Sequence, residues 1–288
     1  MKPWGRRTAL ALVAALGLAG MACSDREEPG AGMAGDGGTP AGGRSPAAPP
    51  AVTTEPGRGA CAGGPNPAIV PGQTSSLSVV SNGRGRTYLL YAPPGYDGTR
   101  PLPLVLNFHG LGSNGEEQHR YSGLVPIAER EGFLVASPDG INRAWLTNPW
   151  VNDIAFTKDL VVEISPLACV DSGRVYATGM SNGGFMSAAL ACAAGDVVAA
   201  VAPVAGMTGV SELCGEPVPF IEFHGTDDRI VPYEPGILAP TGGAFAGVPA
   251  LMEEWAEHNG CDGAPVENRV SETVVFREYQ DCEAPTGH

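Results

Sequence analysis

The sequence predicts an α/β fold in which a mostly parallel sheet carries helices on both faces. Strand-like and helix-like segments alternate through most of the chain, and the run Leu102–Phe108 is apolar on both faces, as a strand buried in a parallel sheet should be. A second strand, Arg174–Thr178, leads into a Gly-rich turn and then a helix-forming run. Functional residues of such folds are expected in the loops at the carboxyl ends of the strands.

The other elements follow from local patterns. The Asn82-Gly83 pair predicts a tight turn that joins two strands into a hairpin, and Gly132 is a helix-ending residue. Further strands are predicted at 76–81, 86–92, 133–137, 197–204, 218–223 and 273–279. Helices are predicted at 116–131, 153–167 and 248–259, besides the one that follows the Gly-rich turn.

The charge balance excludes some classes of partner. The formal net charge is −14, from 31 acidic and 17 basic residues, and 43% of the residues are hydrophobic, as in an ordinary globular protein. Such an excess of acid repels phosphate backbones and argues against nucleic-acid binding or a membrane surface held by basic residues. A neutral substrate remains compatible with it.

The N-terminal segment has the pattern of an export signal. A short basic region, Met1–Arg7, precedes the uncharged run Thr8–Ala22, which is too short to span a bilayer comfortably. Cys23 follows at once, so residues 1–23 resemble a bacterial lipoprotein signal with a lipidation cysteine. Gly20 stands where such signals usually have leucine, so a plain secretory signal is the alternative. Residues 24–60, rich in Gly, Pro and Ala, predict a disordered linker before a domain at 61–288.

The turn Gly179-Met180-Ser181-Asn182-Gly183 predicts a nucleophile elbow. A serine at the apex of so sharp a strand-to-helix turn adopts a strained conformation, and glycines two residues to either side leave room for the neighbouring backbone. The helix that follows directs its positive end at the serine, which favours developing negative charge. The alternative is a Gly-rich connection in which the serine is incidental.

Two other strand ends carry candidate catalytic groups. The loop after Phe108 is expected to supply the N–H of Leu111, which with the N–H of Asn182 forms an oxyanion hole. His109 is interpreted as ordering this loop, because the base of this arrangement follows the nucleophile and the acid in the chain. In His-Gly-Thr-Asp-Asp, the spacing favours Asp228 as the acid that orients the base, with Asp227 as a solvated neighbour.

These motifs together resemble the secreted polyhydroxybutyrate depolymerase and feruloyl esterase family, α/β-hydrolases that are grouped with carbohydrate esterases. The matching segments are 107–110, 133–140, 153–156, 174–184 and 224–233, and the resemblance covers roughly Tyr88–Cys282. It implies an α/β-hydrolase fold and a serine esterase that acts on ester bonds of polymers or of their phenolic and acyl decorations. It assigns Ser181 as nucleophile and Asp228 as acid. No motif implies a metal or an organic cofactor, and the oligomeric state is not readable.

The C-terminus departs from the family pattern. In the family a further strand follows the Tyr-x-x-Cys segment, and the catalytic histidine lies in the loop after it. Here Tyr279–Cys282 is followed by six residues that end at His288, which satisfies the chain order and is the candidate base. Three interpretations stay open: a shortened family member that lacks the last strand, a rearranged one that uses His288, and an inactive relative.

Other assignments also keep alternatives. A non-catalytic surface lipoprotein that binds polysaccharide or polyester is the rival function, and peptidase activity is a third. The loop Glu234–Gly247 is expected to border the substrate cleft, and Trp145 and Trp150 could line a sugar or phenolic site, although packing is the more frequent role of tryptophan. The seven cysteines show no zinc-type spacing. Besides Cys23 they predict three disulfides, which pair Cys192 with Cys214, Cys261 with Cys282 and Cys61 with Cys169.

Overall fold

The computed structural model describes residues 61, 66–145, 147–148, 151–212, 214–239 and 241–283. The predicted signal peptide with Cys23, the linker 24–60, Trp150 and the candidate base His288 lie outside these residues. The strands are β1 (Thr74–Ser81), β2 (Arg84–Tyr91), β3 (Leu102–Phe108), β4 (Leu134–Pro138), β5 (Thr147–Asn148), β6 (Val151–Asn152), β7 (Val170–Met180), β8 (Ala200–Val204), β9 (Gly236–Ile237), β10 (Ala244–Phe245), β11 (Asp262–Arg269) and β12 (Val275–Gln280). The helices are α1 (Gly115–Tyr121), α2 (Leu124–Glu131), α3 (Asp153–Ala168), α4 (Asn182–Ala193) and α5 (Val248–His258).

A central sheet organises the described part of the chain, with strand order β1-β2-β4-β3-β7-β8. The pairs β4–β3, β3–β7 and β7–β8 are parallel. At one edge, β2 pairs antiparallel with β4, and β1 pairs antiparallel with β2. Beyond β8 the segment 218–223 runs parallel to it through bridges at Phe220 and Phe223. The mostly parallel sheet confirms the predicted fold class and brings the ends of β3, β7 and β8 to one edge.

Alternate residues of each central strand enter different cores, and helices cover both. Leu104 and Leu106 face one cluster, which includes Phe156 of α3, whereas Val105 faces a second cluster with Ile127 of α2. All five side chains are at least 92% buried. This two-sided burial explains why Leu102–Phe108 is apolar throughout.

The predicted hairpin turn is confirmed. Asn82 and Gly83 have φ of 49° and 73°, the left-handed conformation at both central positions that suits a two-residue hairpin loop. Register follows from this turn, with Ser81 opposite Arg84 and Thr74 opposite Tyr91.

The single helix predicted at 116–131 is wrong, because the chain forms α1 and α2 instead. Ser122 ends α1, and Gly123 turns into the left-handed region with φ of 67°. The break also lets the Ser122 hydroxyl accept a hydrogen bond from Asn107 Nδ2 on β3, at 3.1 Å. The helical periodicity is outweighed by two effects: Gly123 permits the left-handed conformation, and the buried amide of Asn107 needs an acceptor.

The strand predicted at 273–279 forms as β12 but does not join the central sheet. β12 pairs antiparallel with β11, which the sequence did not predict because Asp262–Arg269 contains Gly, Pro and charges without apolar alternation. This C-terminal hairpin is largely exposed. The Cys261–Cys282 disulfide closes the base of this hairpin. Arg277 attaches the hairpin to the loop that follows the segment 218–223, because its Nη1 donates to the Tyr233 hydroxyl at 2.6 Å.

All three predicted disulfides are present: Cys61–Cys169, Cys192–Cys214 and Cys261–Cys282. The first closes a separation of 108 residues and ties the start of the domain to the end of α3. Among the helices that the structure describes, none is long and apolar enough to cross a membrane.

Candidate active site

Ser181 lies at the turn between β7 and α4 with φ of 54° and ψ of −116°. A positive φ is uncommon for a non-glycine residue, so the strained conformation expected of a nucleophile elbow is observed. The Ser181 N–H donates to Val204 O at 2.8 Å, which fixes the turn to the end of β8. The side chain therefore stands at the N-terminus of α4, where the helix dipole favours negative charge.

Two glycines of the elbow are required by close backbone approach. A Cβ on Gly183 would lie 2.1 Å from Phe108 O, and one on Gly179 would lie 2.5 Å from the same atom. These distances are far inside van der Waals contact, so the Gly-x-Ser-x-Gly pattern follows from the packing of β3 against the turn.

We expect Gly183→Ala to destabilise the fold by about 3 kcal/mol or more, because backbone atoms of β3 and of the turn must move apart. Urea unfolding followed by circular dichroism measures this. Gly85→Ala is the matched control, since a Cβ there meets nothing within 4 Å and its stability should change by less than about 1 kcal/mol. Equal stability of the two variants would contradict the packing explanation.

The loop after β3 lies against the nucleophile. A Cβ on Gly110 would be 3.8 Å from Ser181 Cβ, so Leu111 follows directly beside the elbow. Asn182 is the first residue of α4, and its N–H therefore has no acceptor within the helix. The arrangement leaves both predicted oxyanion donors, Leu111 and Asn182, next to Ser181.

Trp145 connects the loop after β3, which carries Leu111, with Asn182 at the start of α4. Its indole Nε1 donates to His109 O at 2.8 Å, and its backbone N–H donates to Asn182 Oδ1 at 2.7 Å. Asn182 Nδ2 donates back to Trp145 O at 3.2 Å. The ring is 4% exposed and packs edge-on against Phe108, so Trp145 is a buried packing residue rather than an exposed lining of a sugar site.

We expect Trp145→Phe to lower kcat about tenfold with little change in KM. Phenylalanine keeps most of the ring packing, but His109 O loses its buried hydrogen bond, so the oxyanion loop is held less firmly. Steady-state kinetics on a small aryl ester measures the effect. Trp255→Phe is the control, because that indole also donates to a backbone carbonyl, Thr208 O at 2.8 Å, which lies in the loop directly after β8 and not in the oxyanion loop after β3. Equal losses of kcat in both variants would refute the assignment.

His109 orders its loop, as expected. The ring is fully buried; Nε2 accepts from Gly140 N at 2.9 Å, and Nδ1 lies 2.8 Å from Gly110 O. Because a carbonyl oxygen only accepts, Nδ1 carries the proton and both ring nitrogens are committed. Burial lowers the pKa of His109, which keeps the ring neutral. Such a residue is not available as a general base.

Asp228 is held in a turn after the segment 218–223. Its Oδ1 accepts from Ile230 N at 2.8 Å and from Val231 N at 3.0 Å, and the side chain is 20% exposed. For Oδ2 the described residues provide no hydrogen-bond donor, and the nearest charged partner is His224 Nε2 at 3.7 Å. Asp227 is exposed, as predicted. Within the part of the chain that the structure describes, Oδ2 of Asp228 therefore can still accept a hydrogen bond from a base.

The structure brings Ser181, Leu111 and Asn182 together and places Asp228 at the end of the segment beyond β8. Sequence reasoning missed the connecting role of Trp145 and a buried pair formed by Glu222 and the neighbouring histidine. Alternation along 218–223 could have indicated that Glu222 points inward, but an acidic residue in a strand is ordinarily read as solvent-facing.

The chain is similar to known esterases in sequence and in fold. The chain is 32% identical to feruloyl esterase B of Piromyces equi over 213 residues, which cover 68% of this chain and 39% of that protein. It is 31% identical to feruloyl esterase D of Neurospora crassa over 237 residues, 76% of each chain. No family model matches. The solved acetyl xylan esterase from Aspergillus awamori superposes with a TM-score of 0.59 at 16% identity, covering 74% of this chain and 90% of that one, which shows the shared fold.

The strained serine between β7 and α4, the glycines that permit it and the similarity to the Neurospora enzyme lead to one assignment. The chain belongs to the feruloyl esterases, carboxylic-ester hydrolases with the α/β-hydrolase fold.

Proposed function

We propose that the chain is a secreted serine esterase that hydrolyses feruloyl or acetyl esters on plant polysaccharide or the ester bonds of a polyester. The observation that carries this proposal is the strained Ser181 at the N-terminus of α4, with Leu111 and Asn182 beside it. The names of the relatives support the ester decoration of polysaccharide as substrate.

The proposed reaction has two halves. Ser181 Oγ attacks the ester carbonyl while a histidine takes its proton, and the N–H groups of Leu111 and Asn182 bind the oxyanion. The same histidine then donates the proton to the leaving alcohol, and water hydrolyses the acyl-enzyme by the reverse steps. Asp228 holds the base in the correct tautomer through Oδ2, which accepts its N–H.

We assign the base to His288, and the path of the chain supports this. Glu283 N donates to Asn259 O at 2.8 Å, and the Asn259 side chain bonds both N and O of Val218. The chain therefore leaves the described residues at the amino end of the segment 218–223, whose outer side pairs with no strand that the structure describes.

The assignment to His288 predicts the result of a deletion. Deleting residues 284–288 should then abolish turnover while the fold is retained, and an active deletion variant would exclude His288.

Exposed apolar side chains flank the proposed donors and acid. Leu111, next to the elbow, is 60% exposed, and Ile230, two residues after Asp228, is 52% exposed. Apolar walls favour an aromatic acyl group, so we propose ferulate over acetate. Comparison of kcat/KM for methyl ferulate, acetylated xylan and a 3-hydroxybutyrate oligomer tests this; a higher value on either of the last two would overturn the preference.

We also propose that residues 1–23 form a signal peptide with Cys23 as lipidation site, that 24–60 are a linker, and that 61–288 are the esterase domain. Three disulfides support an oxidising compartment outside the cytoplasm. Labelling of the bacterially expressed chain with radioactive palmitate tests the anchor. Label on the parent and none on Cys23→Ser is expected, and an unlabelled parent would leave a plain secretory signal.

A further inference from the structure

Two buried titratable side chains beneath the site take no part in the proposed chemistry. Glu222 and His224 project from the same side of the strand-like segment after β8, and their side chains are 2% and 1% exposed. Glu222 Oε1 lies 2.8 Å from His224 Nδ1. Buried ionisable groups are rare unless they are paired, so this Glu222–His224 pair needs a role.

Glu222 holds the backbone that supports the nucleophile. Its Oε1 also accepts from Gly206 N at 3.3 Å. A Cβ on Gly206 would lie 2.4 Å from Ser181 O, so Gly206 is packed against the elbow itself. One oxygen of Glu222 therefore fixes the loop on which the turn at Ser181 rests.

His224 holds the loop that carries the acid. Its Nε2 donates to Val231 O at 2.8 Å, and Val231 N in turn donates to Asp228 Oδ1. Because Val231 O only accepts, Nε2 keeps its proton in every state of the ring. His224 thus anchors the residue that anchors Asp228.

One proton lies between Glu222 Oε1 and His224 Nδ1, because two such atoms 2.8 Å apart need a donor between them. Burial raises the pKa of Glu222 to about 7, and its second oxygen, Oε2, is buried without a hydrogen-bond partner among the described residues. Burial lowers the pKa of His224, but the bonds to Glu222 and Val231 O outweigh it and raise the pKa above its usual value. In either protonation state, Oε1 can bond both Nδ1 and the N–H of Gly206.

We propose that Glu222 and His224 are positioning residues that fix the nucleophile turn and the acid loop relative to each other. The pair joins Gly206, under Ser181, to Val231, beside Asp228, through three consecutive hydrogen bonds. Its effect on turnover rests on the proposed function, whereas its effect on the two loops does not.

Glu222→Gln tests this, because a carboxamide cannot satisfy the same partners. If the amide oxygen takes the place of Oε1, it accepts from Gly206 N–H, but His224 must then be an imidazolium with no negative charge to compensate it. If the amide nitrogen takes that place, it donates to Nδ1 but repels the N–H of Gly206. Asp171→Asn is the matched control: this carboxylate is also buried and bonds Arg174, but it lies at the opposite end of β7. His224→Gln is the second test variant. Its amide keeps one donor group, but it cannot bridge Glu222 and Val231 O as the imidazole does.

Two readouts separate this proposal from the proposed function. Hydrogen exchange should become at least tenfold faster at Gly206 and Val231 in Glu222→Gln than in the parent, and remain unchanged there in Asp171→Asn. If the parent is active, kcat should fall about tenfold in both test variants, with KM within twofold. Faster exchange in an inactive parent would support the pair and contradict the esterase.

Unchanged exchange at both amides would overturn the proposal, even if the enzyme is active. An unchanged kcat in an active parent would overturn the effect on turnover. If both test variants fail to fold while Asp171→Asn folds, the pair stabilises the whole domain rather than the two loops, which also overturns it.

Discussion

Replacement of Ser181 by alanine is expected to lower kcat by at least about 10⁴-fold, because no other group can form the acyl-enzyme. The fold should persist, since the substitution removes one oxygen and alanine can keep the turn that the glycines and Val204 O impose. Steady-state kinetics on an aryl ester and thermal unfolding measure the two effects. Ser165→Ala, which removes a helix-surface hydroxyl bonded to Val161 O on α3, is the control and should leave kcat unchanged.

Activity close to that of the parent in a folded Ser181→Ala variant would refute the nucleophile. Equal losses in Ser181→Ala and Ser165→Ala would also contradict it, because the second serine lies on a helix away from the elbow.

The Asp228→Asn substitution should lower kcat about 10³- to 10⁴-fold with little change in KM. Asparagine Oδ1 can still accept from Ile230 N and Val231 N, so the loop keeps its shape. The amide group that replaces Oδ2 donates instead of accepting, which favours the wrong tautomer of the base. The same kinetic assay, with the unfolding midpoint as a check on the fold, measures this.

Asp227→Asn is the matched control on the adjacent residue. Asp227 is exposed, so its conversion to the amide should leave kcat within about twofold. A large loss in Asp227→Asn, with Asp228→Asn fully active, would exchange the roles of the two aspartates.

The elements that local chemistry determines could be predicted from the sequence. Asn82-Gly83 can take positive φ at both positions, and Leu102–Phe108 is apolar on both faces, so the hairpin and β3 were placed well. The break at Gly123 was not, because it depends on a buried amide of β3, which is a tertiary cause. Strand β11 was not, because Asp262–Arg269 carries Gly, Pro and charged residues without apolar alternation.

The residues of the candidate site also fall into those that local motifs indicate and those that depend on tertiary contacts. Ser181 and Asp228 could be proposed from the sequence because the elbow and the acid turn are local motifs with fixed spacing. The function of Trp145 and of Glu222 depends on which loop each side chain reaches across the sheet edge. The spacing of residues along the sequence does not contain that information. Chain order predicts a loop-ordering role for His109, and both nitrogens of its ring are hydrogen-bonded to backbone atoms.

The most direct test of the esterase assignment is intact-mass analysis of the purified chain after reaction with a fluorophosphonate, beside Ser181→Ala and His288→Ala. One adduct per parent chain, none on Ser181→Ala and at least about 10²-fold slower labelling of His288→Ala are expected, because phosphonylation requires an activated serine. A folded parent that forms no adduct would contradict the proposal that Ser181 is an activated nucleophile.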